Sequence, residues 1–303
     1  MSLINNANPG SQIDLMSIVF RVLHRAPAPM TEEKLIALCR PETLPIKDDQ
    51  RKRLPGELQF WADPAHQLWS KDETGAYSLV HPLPGEEPTP LDIASVVSPL
   101  LMGTDIATVF DPSHDADGVA QLMAMLSCVL AVPDFSAFSD QTINKENLDE
   151  LQGKYLPPES RLNASNEISE AIAYGHFLGF FEPADKGGYV VDPTEAVTRV
   201  LKDAFEPGEV VGMRDCLATV AEKIPVIDGG KFREEVEAKM AERGFRPPPQ
   251  DRLSRTLSHA LYRLRIVGVI KLEELSDDPR QLRFDLPIGE KKFSQVKVLA
   301  TEG

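Results

Sequence analysis

Cysteine is scarce in this chain and basic residues are outnumbered. Of 303 residues only three are cysteines, Cys39, Cys128 and Cys216. An odd number at wide spacing excludes a disulfide framework and a Cys-x-x-Cys metal site. No apolar run approaches the ~18 residues of a membrane span. Residues 1–20 lack the basic-then-apolar order of a secretion signal, because Asp14 interrupts the first apolar stretch. The expectation is a cytoplasmic protein with no membrane partner. Lys and Arg number 32 against 47 Asp and Glu, a formal charge of −15. Such a field repels phosphate and opposes a coating role on nucleic acid, although it leaves room for a local basic surface.

Catalytic signatures are missing as well. There is no glycine-rich loop ending in Lys-Ser/Thr, no Gly-x-Ser-x-Gly, no His-Glu-x-x-His and no recognisable Cys/His pair with an orienting group. Asp111, His114, Asp115 and Asp117 form the one cluster that could hold a metal. Turns of small polar residues gather Asp and His because these bond their own backbone, and no second His or Cys stands at ligand spacing. The sequence therefore predicts a protein that is not an enzyme, with no cofactor and no metal.

What is present is a modular pattern. With 42% hydrophobic residues the chain can bury several cores. Its acidity is concentrated: residues 83–150 hold a single basic residue, Lys145, among twelve acidic ones, whereas both ends are close to neutral. Prolines punctuate 82–90, 157–158, 207 and 247–249. The partition that follows is a module over 1–82, a linker over 83–90, an acidic middle module over 91–207, a C-terminal module over 208–289 and a tail over 290–303.

Three stretches share one hydrophobic order. In the first, Leu15, Ile18, Val19, Val22 and Leu23 mark a helix, Thr31 caps a second carrying Leu35, Ile36 and Leu38, and a third covers 51–61. A hairpin follows over 67–80. In the last, helices cover 212–224, 230–243 and 251–267. Leu253, Leu257, Leu261, Leu264 and Val267 give the third its buried face, and Gly268 ends it. Strands over 269–275 and 280–286 then pair through a turn holding Asp277 and Asp278. The middle repeats the second half of this order at 160–205, after a strongly apolar helix over 118–132. Its Leu122, Met123, Met125, Leu126, Val129 and Leu130 read as core in preference to a docking surface. The predicted fold class is mainly α with short β-hairpins (α+β), built of repeated winged-helix modules.

In a winged helix the third helix enters the major groove. The outer face of 251–267 offers Arg252, Arg255, His259, Tyr262 and Arg263, and Lys47, Arg51, Lys52 and Arg53 gather at the start of the first module's third helix. These are the candidate DNA contacts. The competing reading is that arginines on an amphipathic helix solvate it or pair with nearby carboxylates. Asp277 and Asp278 have the wrong sign for a wing that touches phosphate.

The opening Met-Ser-Leu-Ile-Asn-Asn, the N-terminal winged helix, the acidic apolar middle and the arginine-bearing helix over 253–265 together resemble the DpdG-like family. Those proteins belong to the bacterial dpd clusters, which insert and police 7-deazaguanine derivatives in DNA. The resemblance implies a part in antiviral defence by restriction, beside helicase and nuclease partners of the same cluster. It carries over no functional residue. A second likeness is to the acidic tandem winged-helix subunits (KITE or MukE type) that grip a partner polypeptide of SMC-type ATPases, although these are usually two-module. A winged-helix transcriptional regulator is a third alternative. The sequence thus predicts a non-enzymatic subunit of a DNA-handling assembly. It would act as an adaptor, with double-stranded DNA a partner inside the complex.

Overall fold

A computed structural model of the protein describes residues 2–5, 12–39, 53–85, 87–105, 109–110, 118–136, 139, 141–185, 187–275, 278 and 280–300. The chain is α+β: among these residues eleven α-helices accompany ten short strands in small antiparallel sheets.

The first unit begins with α1 (Ile13–His24), whose Met16, Val19, Phe20 and Leu23 recur at helical spacing and are buried. Pro27 and Pro29 follow its end, and β1 (Met30–Thr31) leads directly into α2 (Glu32–Cys39). Thr31 Oγ1 accepts from the Lys34 amide at 3.4 Å, as a capping residue should. Helix α3 (Arg53–Ala62) tolerates Pro55 because the proline falls in its first turn, where an amide has no intrahelical partner to lose. Strands β2 (Trp69–Lys71) and β3 (Ala76–Leu79) close the unit, with β3 lying between β1 and β2. The indoles of Trp61 and Trp69 donate to Glu57 Oε1 and the Leu58 carbonyl, both at 2.9 Å, so these large buried rings leave no polar atom unsatisfied.

A capping box between Thr89 and Asp92 starts α4 (Pro90–Met102). The middle unit then runs through α5 (Val119–Ala131), α6 (Lys145–Tyr155), α7 (Ile168–Phe177), β4 (Phe181–Pro183) and β5 (Tyr189–Val191). Between α5 and α6, Ile143 exchanges both backbone hydrogen bonds with Tyr189, at 2.6 and 3.0 Å. The last strand of this unit is therefore again flanked by an earlier segment on one side and its hairpin partner on the other. Every residue of α5 except Gln121 is buried, which fulfils the expectation that its leucines and methionines are core.

The third unit is longer, with three helices between its first strand and the next and four strands after them. Helix α8 (Thr194–Ala204) is followed by β6 (Val210–Gly212), α9 (Met213–Lys223), α10 (Lys231–Ala241), α11 (Arg255–Ile266), β7 (Ile270–Glu273), β8 (Leu282–Phe284), β9 (Lys291–Phe293) and β10 (Gln295–Val298). The sheet order is β6-β10-β7, with Val296 opposite both Val211 and Leu272. Two expectations are corrected here. Strand β7 does not pair with β8; β8 forms a separate ribbon with β9, in which Leu282 faces Phe293. The stretch over 290–303 is not a tail, since it supplies β9 and β10, and β10 is the central strand of the sheet. Helix α8 packs on α9 and α11.

The units are tied together by buried side chains. Helix α10 lays Phe232, Val236 and Met240 on α5. At the N-terminal end, Leu3 and Ile4 are buried beside Gly118, where a Cβ would lie 2.4 Å from Ser2 Oγ and φ is +84°. Only glycine fits that position. The linker segment is fastened to α1, with Arg21 Nε donating to the Pro88 carbonyl at 3.1 Å and His24 Nε2 lying 2.8 Å from the Gly85 carbonyl.

Candidate functional site

The arginine-bearing helix α11 is positioned by a buried polar network at its N-terminus. Ser254 caps it through a 3.3 Å bond from the Leu257 amide. Asp228 accepts from the Ser254 amide at 2.5 Å and from its hydroxyl at 2.7 Å. Asp228 also faces the guanidinium of Arg233 at 3.4 Å; Arg233 is fully buried and is held by Glu237 at 2.5 Å. Thr256 Oγ1 donates to the Leu130 carbonyl at 2.7 Å, docking the first turn of α11 on the end of α5. A buried cation with two carboxylates within reach is the arrangement that makes its desolvation tolerable.

The helix begins later than its apolar spacing suggests. Residues 251–253 run extended beside β8: the Leu253 amide donates to the Arg283 carbonyl and the Arg283 amide to the Asp251 carbonyl, at 2.9 and 2.8 Å. Leu253, Leu257, Leu261 and Leu264 are buried as expected, but Val267 is 60% exposed.

The predicted outer face divides into two groups. His259 does not belong to it. It is buried at 5% exposure, and burial, helped by the charge of Arg255, pushes its pKa down to about 4. The imidazole is therefore neutral near pH 7 and is not a phosphate contact. The arginines do reach the surface, and each meets a carboxylate. Arg252 pairs with Glu290 at 2.5 Å and Arg255 with Asp285 at 3.2 Å. Arg263 Nη1 lies 2.7 Å from Glu182 and 2.6 Å from Asp192, spanning from the third unit to the hairpin of the middle one. Arg283, on β8, bridges Asp251 at 2.8 Å and Glu290 at 3.5 Å. Arg265 stacks over the rings of Tyr262 and Phe293, at 5.4 and 5.7 Å. Four arginines on this face are thus offset by five carboxylates. A phosphate reaching them meets the opposing charge of a protein carboxylate at each arginine.

Of the second basic group, Arg53 opens α3 and is partly exposed. Lys47, Arg51 and Lys52 lie outside the described residues, as do Asp111, His114, Asp115, Asp117 and Asp277. Asp278 is described, and it accepts from the Arg280 amide at 2.8 Å. Burial pushes the thiols of Cys128 and Cys216 up to about 12 and that of Cys39 up to about 11, so none offers a thiolate nucleophile. Among the described residues no helix is long and apolar enough to cross a membrane.

Sequence reading missed Asp192, Glu182 and Arg233. Asp192 is 71 residues from Arg263, and nothing local couples them. Arg233 had a usable signal: it falls among Phe232, Val236 and Met240, with Glu237 four residues on.

No curated protein and no solved structure matches the chain. A family model described as DpdG-like matches residues 1–278, nearly the whole chain including all three units up to β7. The protein therefore belongs to the DpdG-like family and is associated with the dpd gene clusters.

Proposed function

We propose that the protein is a non-enzymatic adaptor subunit of a dpd-encoded DNA-handling assembly, built of three winged-helix modules whose groove-reading helices have been turned to internal use. The modular reading is supported by the sheets β1-β3-β2 and β6-β10-β7, in each of which the last strand lies between the other two, and by the bridge that sets Ile143 beside β5 in the middle unit. On this reading α3, α7 and α11 correspond to the helices that enter the major groove in DNA readers. Half of α3 is buried, Glu57 included. The outer side of α7 (Glu170, Ala173, His176) faces the starts of α1 and α4 across a shared cavity. Of the arginines of α11, Arg255 and Arg263 are held in ion pairs and Arg265 lies over two aromatic rings.

The observation that carries the proposal is Arg263. The residue best placed to anchor a phosphate instead joins two modules through Glu182 and Asp192. A lone DNA reader gains affinity by releasing counterions from phosphate, and a surface already neutralised by its own carboxylates releases few. Its partners are polypeptides of the same cluster, with helicase and nuclease subunits the expected classes. The test is purification of the tagged protein from cells carrying the cluster, with and without nuclease treatment of the lysate. Retention of a cluster-encoded protein in stoichiometric amount after digestion supports the adaptor role. Its loss on digestion overturns it in favour of a DNA-mediated association.

A further inference from the structure

A cavity of about 570 Å³ opens where α1, α4 and α7 meet the hairpin of the middle unit. Its walls are apolar and aromatic, with Ile13 and Leu91 from the first turns of α1 and α4, Phe177 from the last turn of α7, and Tyr189 from β5. Leu91 is 50% exposed, so the apolar lining reaches the mouth. The wall continues along α1. Asp14, Ile18 and Arg21 share one helical face; Asp14 borders the cavity with Leu91, and Arg21 holds the Pro88 carbonyl. The exposed Ile18 lies between these two contacts.

The polar groups at the rim are acceptors. Asp14 and Glu170 border the cavity, and neither forms an ion pair or a side-chain hydrogen bond among the described residues. His176 Nδ1 lies 2.9 Å from the Phe181 carbonyl, which can only accept, so this nitrogen carries a proton and Nε2 of the neutral ring is left as an acceptor. No lysine or arginine among the described residues lines the cavity. The α11 face is the reverse case, with arginines matched by carboxylates of the same chain. Asp14 and Glu170 stand in the first turns of α1 and α7. Each helix end offsets about half a unit charge, so about one negative charge stays uncompensated between them. The start of α4 is served by Asp92 of its own capping box.

We propose that this cavity is the docking site for an arginine-bearing apolar segment of a partner polypeptide. The inference rests on the adaptor reading and names its surface. A guanidinium pairs with carboxylates through parallel hydrogen bonds, donates to a neutral imidazole, and stacks its flat face on rings such as those of Phe177 and Tyr189. Lysine lacks both the fork and the flat face. The apolar neighbours of the arginine cover Leu91 and Ile18, which solvent otherwise wets. An arginine seated in a pocket is a frequent energetic anchor of protein interfaces. Duplex DNA does not fit, because its phosphates would meet Asp14 and Glu170 with no cation to receive them.

The experiment is a fluorescence-anisotropy titration of the intact protein with a dye-labelled peptide alternating leucine and arginine. The same peptide with citrulline in place of arginine keeps the shape and removes the charge. The expected result is saturable binding of the arginine peptide, weaker by about tenfold or more for the citrulline form. Asp14→Asn combined with Glu170→Gln should weaken binding by about tenfold or more, and so should Ala173→Trp, which fills the cavity at unchanged charge. Glu146→Gln with Glu150→Gln removes two charges from the exposed face of α6 and should change affinity by less than about twofold. Absence of saturable binding, equal binding of the citrulline peptide, or equal losses in the α6 pair overturns the proposal. Should Ala173→Trp fail to fold, Leu91→Arg decides: a cation at the exposed mouth should abolish binding, and unchanged affinity overturns the site. The adaptor reading is tested separately. A cluster-encoded protein retained after nuclease treatment by wild type and Ala173→Trp alike leaves the adaptor role standing and overturns this site. Its loss from the wild type overturns the adaptor role itself.

Discussion

Replacing Arg263 with alanine should loosen the joint between the middle and third units. Its guanidinium is 46% exposed, whereas its partner Asp192 is 4% exposed. Asp192 also orders the start of α8 by accepting from the Thr194 amide at 2.9 Å. Exposed ion pairs contribute about 0–1 kcal/mol, and breaking a buried pair costs about 3–5 kcal/mol because a charge is stranded. With one partner buried and the other half in solvent, the expected loss is about 2 kcal/mol. For a chain of this size that lowers the melting temperature by roughly 3 °C. The informative assay is a double-mutant cycle with Asp192→Asn, followed by urea unfolding. Removing both charges should recover at least about 1 kcal/mol of the loss, since the stranded carboxylate has gone. Coupling within about 0.3 kcal/mol of zero would refute the idea that Arg263 is a structural clasp and would return it to the pool of available phosphate contacts.

Three further outcomes are expected. His259 is buried with its pKa lowered to about 4, so the unfolded chain, with an ordinary imidazole near 6.5, binds the proton more readily. Its contribution to stability is complete above pH 6.5 and is lost as pH falls toward 4. His259→Gln should flatten the pH dependence of chemical unfolding across that window, and an unchanged slope would contradict the assignment. A Cβ on Gly175 would stand 2.3 Å from the ring of the fully buried Phe181. Gly175→Ala should therefore cost about 1–3 kcal/mol by overpacking, read from the urea midpoint, and a neutral result would mean that α7 and β4 are not in contact. Ending the chain at residue 289 removes β9 and the central strand β10. The truncated protein should lose protection from proteolysis across 208–289, whereas a dispensable tail would leave it intact.

The local pattern made the helices legible because each buries one face. The spacing over 13–23 and 253–264 located α1 and α11 to within a turn or two of their ends. Strand partners were another matter. Residues 269–275 and 280–286 alternate and are separated by a turn, and that is also what adjacent hairpin strands look like. What decides otherwise is non-local: β10 offers Val296 and Val298 opposite Leu272 and Ile270, and Phe293 meets Phe284 edge to face at 4.9 Å. The candidate face suffered from the same limitation. Arginine identity and helical position were readable, but neutralisation depends on Glu182 and Asp192, brought near by packing of one unit on another. His259 was misplaced because a helix wedged among α5, α8 and β8 buries more than one stripe. The opening residues, cited only for their likeness, have a physical role as Leu3 and Ile4 fill the space over Gly118.

The central claim, that the arginine face serves the protein's own architecture, is tested most directly by the salt dependence of duplex binding to the purified protein. Each phosphate contact adds about −0.9 to the slope of log affinity against log salt. The account predicts binding weaker than about 10⁻⁴ M at physiological salt, with a slope near zero, on modified and unmodified duplex alike. A slope of about −3 that disappears in the triple variant Arg252→Glu, Arg255→Glu, Arg263→Glu, with fold retained, would contradict it.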